Sequence, residues 1–267
     1  MSTNSSALLR WMNIVAFVLT VIVNGLAGST TLIGGVNTAF ISDSNPTLIT
    51  PAGFTFAIWG VIYILLGVFV VYQVLPSQKE KEYHKQISWL FILISLTNIS
   101  WIFLWQYNLL TLSLPVIVLF LIGLILIYMR LGIGKTQVPL KEKIAIHTPF
   151  SVYLGWITIA TIANVAVAAV SVNWDGLGIN PETWAILIII IALLLTLIVT
   201  ATRKEIAYGL IIVWALIGII SKQTNPNIIT TAEASAAIIL IAIAGIAIIT
   251  KIKKTNNINQ RTKTKGL

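Results

Sequence analysis

Three groups of residues carry types and spacings suited to chemistry inside an apolar medium. Trp59 and Tyr63 lie four apart, on one face of any helix that contains them. Asn98, Trp101 and Trp105 follow an i, i+3, i+7 pattern, and Tyr153, Trp156, Ala160 and Asn164 an i, i+3, i+7, i+11 pattern. An amide facing hydrocarbon is costly, so Asn98 and Asn164 are expected to point inward and hydrogen-bond. Their stripes would carry Trp101, Tyr153 and Trp156 with them. Aromatic walls with a few amides suit a flat, apolar ligand with a polar edge. The same spacing also suits helices glued together by Asn and Trp. Gly53, Gly60, Gly67, Gly155 and Ala160 read as close-packing points between helices.

Other chemistry finds little support. The chain has no cysteine, hence no disulfide, thiolate metal site or thiol nucleophile. No Asp, Glu, Lys, Arg or His falls within the apolar stretches, which argues against proton relays, ion-coupled carriers and acid–base catalysis there. His84 and His147 are isolated from acidic partners, so no metal site, and no catalytic residue, is assigned.

These stripes need a scaffold, and composition names its solvent. Of 267 residues, 57% are hydrophobic and 9% charged, against about 25% charged in soluble domains. An all-α polytopic membrane protein follows, with the lipid bilayer as its surroundings. Eight apolar stretches run Trp11–Ser29, Gly53–Leu75, Ser88–Trp105, Thr111–Met129, Pro149–Val172, Thr183–Ala201, Ile206–Ser221 and Ala234–Thr250. The last two are short and leave open a single re-entrant pair. The first is read as a retained helix, since no small-residue cleavage site follows Thr20.

The net charge of +9 is a topology signal here, not a sign of nucleic acid as a partner. With both termini cytoplasmic, the inner segments hold Arg10; Lys79, Lys81 and Lys85; Arg130, Lys135, Lys141 and Lys143; Arg203 and Lys204; and six basic residues of the tail. Lys222 alone of the 17 basic residues falls outside. The outer loops carry Asp43, Asp175, Glu182 and Glu233. The outer loop from Thr30 to Pro51 is long enough to lid a cavity. The tail, 251–267, is basic, read as disordered and suited to anionic headgroups. Trp11, Trp105, Trp174 and Trp184 sit at stretch ends, where tryptophan belts form.

The three stripes resemble the TspO/MBR family, the tryptophan-rich sensory and translocator (peripheral benzodiazepine receptor-like) proteins. That family's second helix has a proline, a tryptophan eight later and a tyrosine four beyond, as do Pro51, Trp59 and Tyr63. Its third-helix Asn–Trp–aromatic pattern matches Asn98, Trp101 and Trp105. Its fifth-helix pattern matches Tyr153, Trp156, Ala160 and Asn164. The match covers about residues 8–172. Val152 stands where the family has a proline and Ala168 where it has an aromatic, and the usual third-helix glutamine and leucine are not evident. The resemblance implies a five-helix bundle (1–175), with three further helices (176–250) that family members normally lack.

It also implies a membrane receptor or carrier for a planar hydrophobic ligand, a porphyrin or other tetrapyrrole or a sterol, with no covalent cofactor. A sensory or transport role and a homodimer are implied likewise. Trp59, Tyr63, Asn98, Trp101, Trp105, Tyr153, Trp156, Ala160 and Asn164 would be the ligand-binding residues. Clustered indoles would further support light-driven porphyrin oxidation. An unrelated transporter or scaffold subunit is the competing reading. Leu126, Tyr128 and Arg130 fit a sterol-contact pattern, but more simply read as an interfacial tyrosine beside a snorkelling arginine.

Overall fold

The computed structural model describes residues 3–265, with side chains described from Ala7 to Ile252. It is all-helical, with no strand among the described residues. The helices are α1 (Thr3–Ser29), α2 (Thr38–Ser44), α3 (Ile58–Val74), α4 (Tyr83–Ile87), α5 (Leu90–Gln106), α6 (Leu110–Arg130), α7 (Leu140–Glu142), α8 (Thr148–Ser171), α9 (Pro181–Arg203), α10 (Ile206–Lys222) and α11 (Pro226–Lys265). Six helical segments among the described residues are long and apolar enough to cross a membrane. α5 and α10, at 17 residues each, are shorter. At 1.5 Å per residue they reach about 25 Å, the low end of what spans a bilayer core. The chain is a multi-pass integral membrane protein. α10 and α11 are each continuous helices.

Local sequence explains where the helices begin and turn. Asn180 caps α9, its side chain accepting from the Thr183 N–H at 2.8 Å, and Pro181 takes the first turn, where no N–H is needed. Lys204 adopts the left-handed conformation at the end of α9. Glu205 then caps α10 by accepting from the Ala207 N–H at 3.2 Å. Two residues thus separate α9 from α10, which forces them antiparallel.

The first five long helices close a ring. α1 packs on α5, α5 on α6, α6 on α8, α8 on α3, and α3 back on α1. α10 then packs on the far side of α8, and α9, α10 and α11 pack on one another. Of the glycines read as packing points, Gly155 meets Tyr208 and Ile211 of α10 and Gly67 meets Phe17 of α1, whereas nothing approaches Gly53 or Gly60. Apolar side chains such as Ile64, Val71, Leu194 and Ile241 remain exposed, which suits a lipid-facing exterior.

The basic residues gather mainly at one set of helix ends, while acids occur at both. At one end Lys222 pairs with Asp43, and Asn225 and Asn227 donate to Glu182. At the other, Arg10 donates to the Lys79 carbonyl and Arg203 to the Ile133 carbonyl. Lys222, which the charge pattern set apart from the other basic residues, is therefore matched by an acid at its own end. The tail expectation falls, from residue 253 on, outside the residues whose side chains are described.

The first loop is fastened down rather than free. Gln106 donates to the carbonyls of Ala27, Ile33 and Val36, at 3.2, 3.2 and 2.7 Å. Gly34 sits against this anchor with φ +71°, and a Cβ there would fall 2.2 Å from the Gln106 carbonyl oxygen. Only glycine meets both demands. α2 and the Lys222–Asp43 pair complete a cap over this end of the ring.

Candidate functional site

Asn98 and Asn164 both face the interior of the ring, at 0% and 1% exposure. Asn98 accepts from Asn24 of α1 and donates to the Tyr153 hydroxyl at 3.1 Å. Asn164 accepts from the Trp101 indole at 2.8 Å and from Ser113 of α6 at 3.0 Å. Two polar relays therefore tie α1 to α5 to α8, and α5 to α8 to α6. Both amides are satisfied, as the cost of burying them requires.

The amides bring their tryptophans with them. Trp101, Trp105 and Trp156 are 5%, 5% and 3% exposed, and Tyr153 2%. Trp59 and Tyr63 are half-buried where α3 completes the ring. The Trp59 ring stacks on Tyr63 with centroids 5.7 Å apart, and meets Trp101 at 6.4 Å, Tyr153 at 6.2 Å and Trp156 at 6.1 Å. Trp101 continues to Trp105 at 5.5 Å. Trp59 is thus the hub of a cluster drawn from α3, α5 and α8. Its contacts are edge-on or offset, the arrangements aromatic quadrupoles favour, each worth about 0.5–1.5 kcal/mol.

Trp105 departs from the interfacial-belt expectation. It is buried, and its indole donates to the Thr38 carbonyl at 3.3 Å, joining the cluster to the first loop. Ala160 is half-buried against the core, one turn beyond Trp156. The Leu126–Tyr128–Arg130 pattern splits apart. Tyr128 turns inward at 4% exposure and lies under the Arg203 guanidinium at 5.7 Å, while Leu126 and Arg130 are exposed. The tyrosine is therefore neither a lipid-facing sterol contact nor a partner of a snorkelling Arg130. Its cation comes from α9, which no local pattern reveals.

One polar atom in the cluster is left over. The Trp156 Nε1–H is buried without a hydrogen-bond partner, whereas the buried Tyr63 hydroxyl has the Asn98 side chain beside it. A buried unsatisfied polar group costs about 1–3 kcal/mol. Trp156 and Tyr63 both flank Trp59.

Several residues of this site escape the stripe argument. Asn24 and Ser113 complete the relays, and Phe56 and Phe120 add rings beside Trp156 and Tyr153. Asn24 carried a usable signal: an amide in an apolar stretch, eleven residues after Asn13 and so on the same helix face. Ser113 carried none, since serines are tolerated anywhere in such helices. Among the described residues no group of three or more His, Asp or Glu side chains is placed to hold a metal.

The last three helices touch this site. The Trp214 indole of α10 donates to the Thr55 carbonyl at 2.9 Å, and its ring meets Phe54 edge-on. The Ala52 N–H donates to the Gly218 carbonyl at 2.9 Å. The turn that launches α3, and with it Trp59, is therefore clamped by α10.

No curated protein and no solved structure matches the chain. A family model, described as TSPO-like protein, matches residues 10–246. That match runs past the motif-bearing stretch and through most of the last three helices, the same helices that clamp the start of α3. With a match over most of its length and the three stripes assembled inside one helical ring, this chain belongs to the TSPO-like protein family.

Proposed function

We propose that the protein is a membrane receptor or carrier for a planar, hydrophobic ligand with a polar edge, a porphyrin or related tetrapyrrole ahead of a sterol. The observation that carries this reading is the unpartnered Trp156 indole N–H beside Trp59. A buried N–H that costs free energy while unpaired suits a ligand that brings an acceptor to it. Trp59 is only half-buried, so its ring is the one that can swing aside and let a flat molecule replace its contacts with Trp101, Tyr153 and Trp156. The proposal includes eight crossings with both termini cytoplasmic, because the basic helix ends gather on that side. It leaves sensing and transport as uses of the same binding step, and includes pairing of two copies.

Titration of the purified protein with protoporphyrin, followed by tryptophan quenching, tests it. Saturable quenching is expected, weakened at least tenfold in Trp156→Phe, which keeps an aromatic ring and removes the N–H. Absence of saturation, or binding unchanged in a Trp59→Ala, Trp156→Ala double variant, overturns the reading. Illumination of the loaded protein tests light-driven breakdown, and a product spectrum equal to that in lipid alone excludes it. The contrary reading, a scaffold whose stripes serve packing only, draws on the direct ring-to-ring contacts of Trp59. It expects Asn98→Leu and Asn164→Leu to damage assembly and leave quenching absent throughout.

A further inference from the structure

A second site lies at the opposite, basic end of the ring. A cavity of about 420 Å³ opens between the start of α1, the end of α3 and α4. Arg10, Lys79, Lys81 and Lys85 line it, with Glu80 the single acid among its walls. Among the described residues no ion pair neutralises these four cations; the Lys222–Asp43 salt bridge lies at the far end. Deeper in, Asn13 donates to the Gln73 side-chain oxygen at 3.0 Å, and Gln73 donates to the Arg10 carbonyl at 3.4 Å. Gln73 is fully buried and Asn13 is 5% exposed, yet the Asn13 Oδ1 accepts from nothing. The cavity therefore has a cationic rim and an unused acceptor on its wall.

We propose that this cavity binds a phosphate ester carrying a hydroxylated substituent, the phosphate held by the Arg10 and lysine cations and a hydroxyl donating to Asn13 Oδ1. Charge-assisted contacts to phosphate are the strong ones, and a hydroxyl satisfies an acceptor that no anion can. Two sources share this chemistry. A phosphoglycerol lipid headgroup would enter from the leaflet where basic helix ends meet anionic lipid. A free glycerol or sugar phosphate would enter from water.

Native mass spectrometry and thermal unfolding of the full-length protein in nonionic detergent separate the cases. The probes are phosphatidylglycerol, phosphatidic acid, phosphatidylcholine and free glycerol 3-phosphate. The expected result is retention of phosphatidylglycerol, or binding of glycerol 3-phosphate, at least tenfold tighter than phosphatidylcholine. Lipid retention alone assigns the headgroup and glycerol 3-phosphate binding alone the soluble ester; either supports the proposal. Lys79→Gln, Lys81→Gln and Lys85→Gln combined, all on exposed positions, should lose that affinity tenfold or more. Asn13→Leu should erase the preference for phosphatidylglycerol over phosphatidic acid while keeping that over phosphatidylcholine. Equal retention of all probes, or affinity unchanged in the triple variant, overturns it. Porphyrin quenching in the triple variant should match wild type, so this site and the aromatic one fail independently.

Discussion

The five-helix ring and the three helices behind it are held together by different means. In the ring, side chains from separate helices hydrogen-bond across the interior: Asn24 to Asn98, Asn98 to Tyr153, Trp101 and Ser113 to Asn164. Behind it, the hydroxyl of Thr196 donates to its own helix at Ala192, and the interior is isoleucine and alanine, such as Ile189, Ala192, Ile228, Ala232 and Ile239. Apolar side chains gain little from leaving lipid, so along their apolar lengths these helices rely on close packing, with the links from Asn225 and Asn227 to Glu182 confined to one end, whereas the ring adds polar links in its interior. Polar links fix which faces meet. The ring is thereby specified where aromatic side chains must converge, and the outer three serve as a brace that reaches the site through Trp214 and Gly218.

This contrast can be broken from either side. The largest effect is expected for Asn164→Leu, which strands the Trp101 indole and removes the cross-helix bond of Ser113, leaving that hydroxyl on the Leu110 carbonyl, a loss of about 2–4 kcal/mol measured by thermal unfolding in detergent. Next comes Gly218→Val. A Cβ there would lie 2.1 Å from Thr55 Oγ1 and 3.0 Å from Pro51 Cβ. Overpacking of about 1–3 kcal/mol is expected. Because α10 clamps the turn before α3, this variant should also weaken porphyrin quenching, although residue 218 lies outside the ring. Unchanged quenching would separate the brace from the site.

Glu205→Gln should give a smaller effect with a definite pH dependence. Burial at the α9–α10 turn raises the Glu205 carboxyl above its ordinary range. A raised folded value means its contribution is present in acid, where it is protonated, and is lost as pH rises through the raised range. The glutamine variant keeps the cap to the Ala207 N–H and has no charge to bury. Its melting temperature should match wild type in acid and exceed it modestly at neutral pH. Thr196→Val should do least, about 0.5 kcal/mol or less, because its bond stays within one turn of its own helix. A larger loss would show that the middle of α9 also depends on polar contacts.

Hydropathy alone placed the helices to within a few residues at most ends, because a bilayer demands a fixed apolar length. The exceptions are α1, which begins at Thr3 rather than Trp11, and α11, which runs from Pro226 to Lys265 rather than from Ala234 to Thr250, since polar residues continue each helix beyond its apolar part. The inward direction of Asn98 and Asn164 was legible for the same reason: an amide has one affordable side. Which partner each amide finds was not legible. Asn24 and Ser113 are 74 and 51 residues away from theirs.

The sequence by itself determined the solvent, the helices and the faces that turn inward, because these follow from transfer free energies of single residues. Only the tertiary structure decided that Trp59 is the hub, that Trp105 leaves the interface and that Tyr128 lies under Arg203 rather than beside Arg130. It alone placed α10 against the turn before α3. These are pairings between distant segments, and many pairings satisfy the same hydrophobic pattern equally well. The choice among them rests on shape and hydrogen-bond geometry, which exist only once the helices have packed.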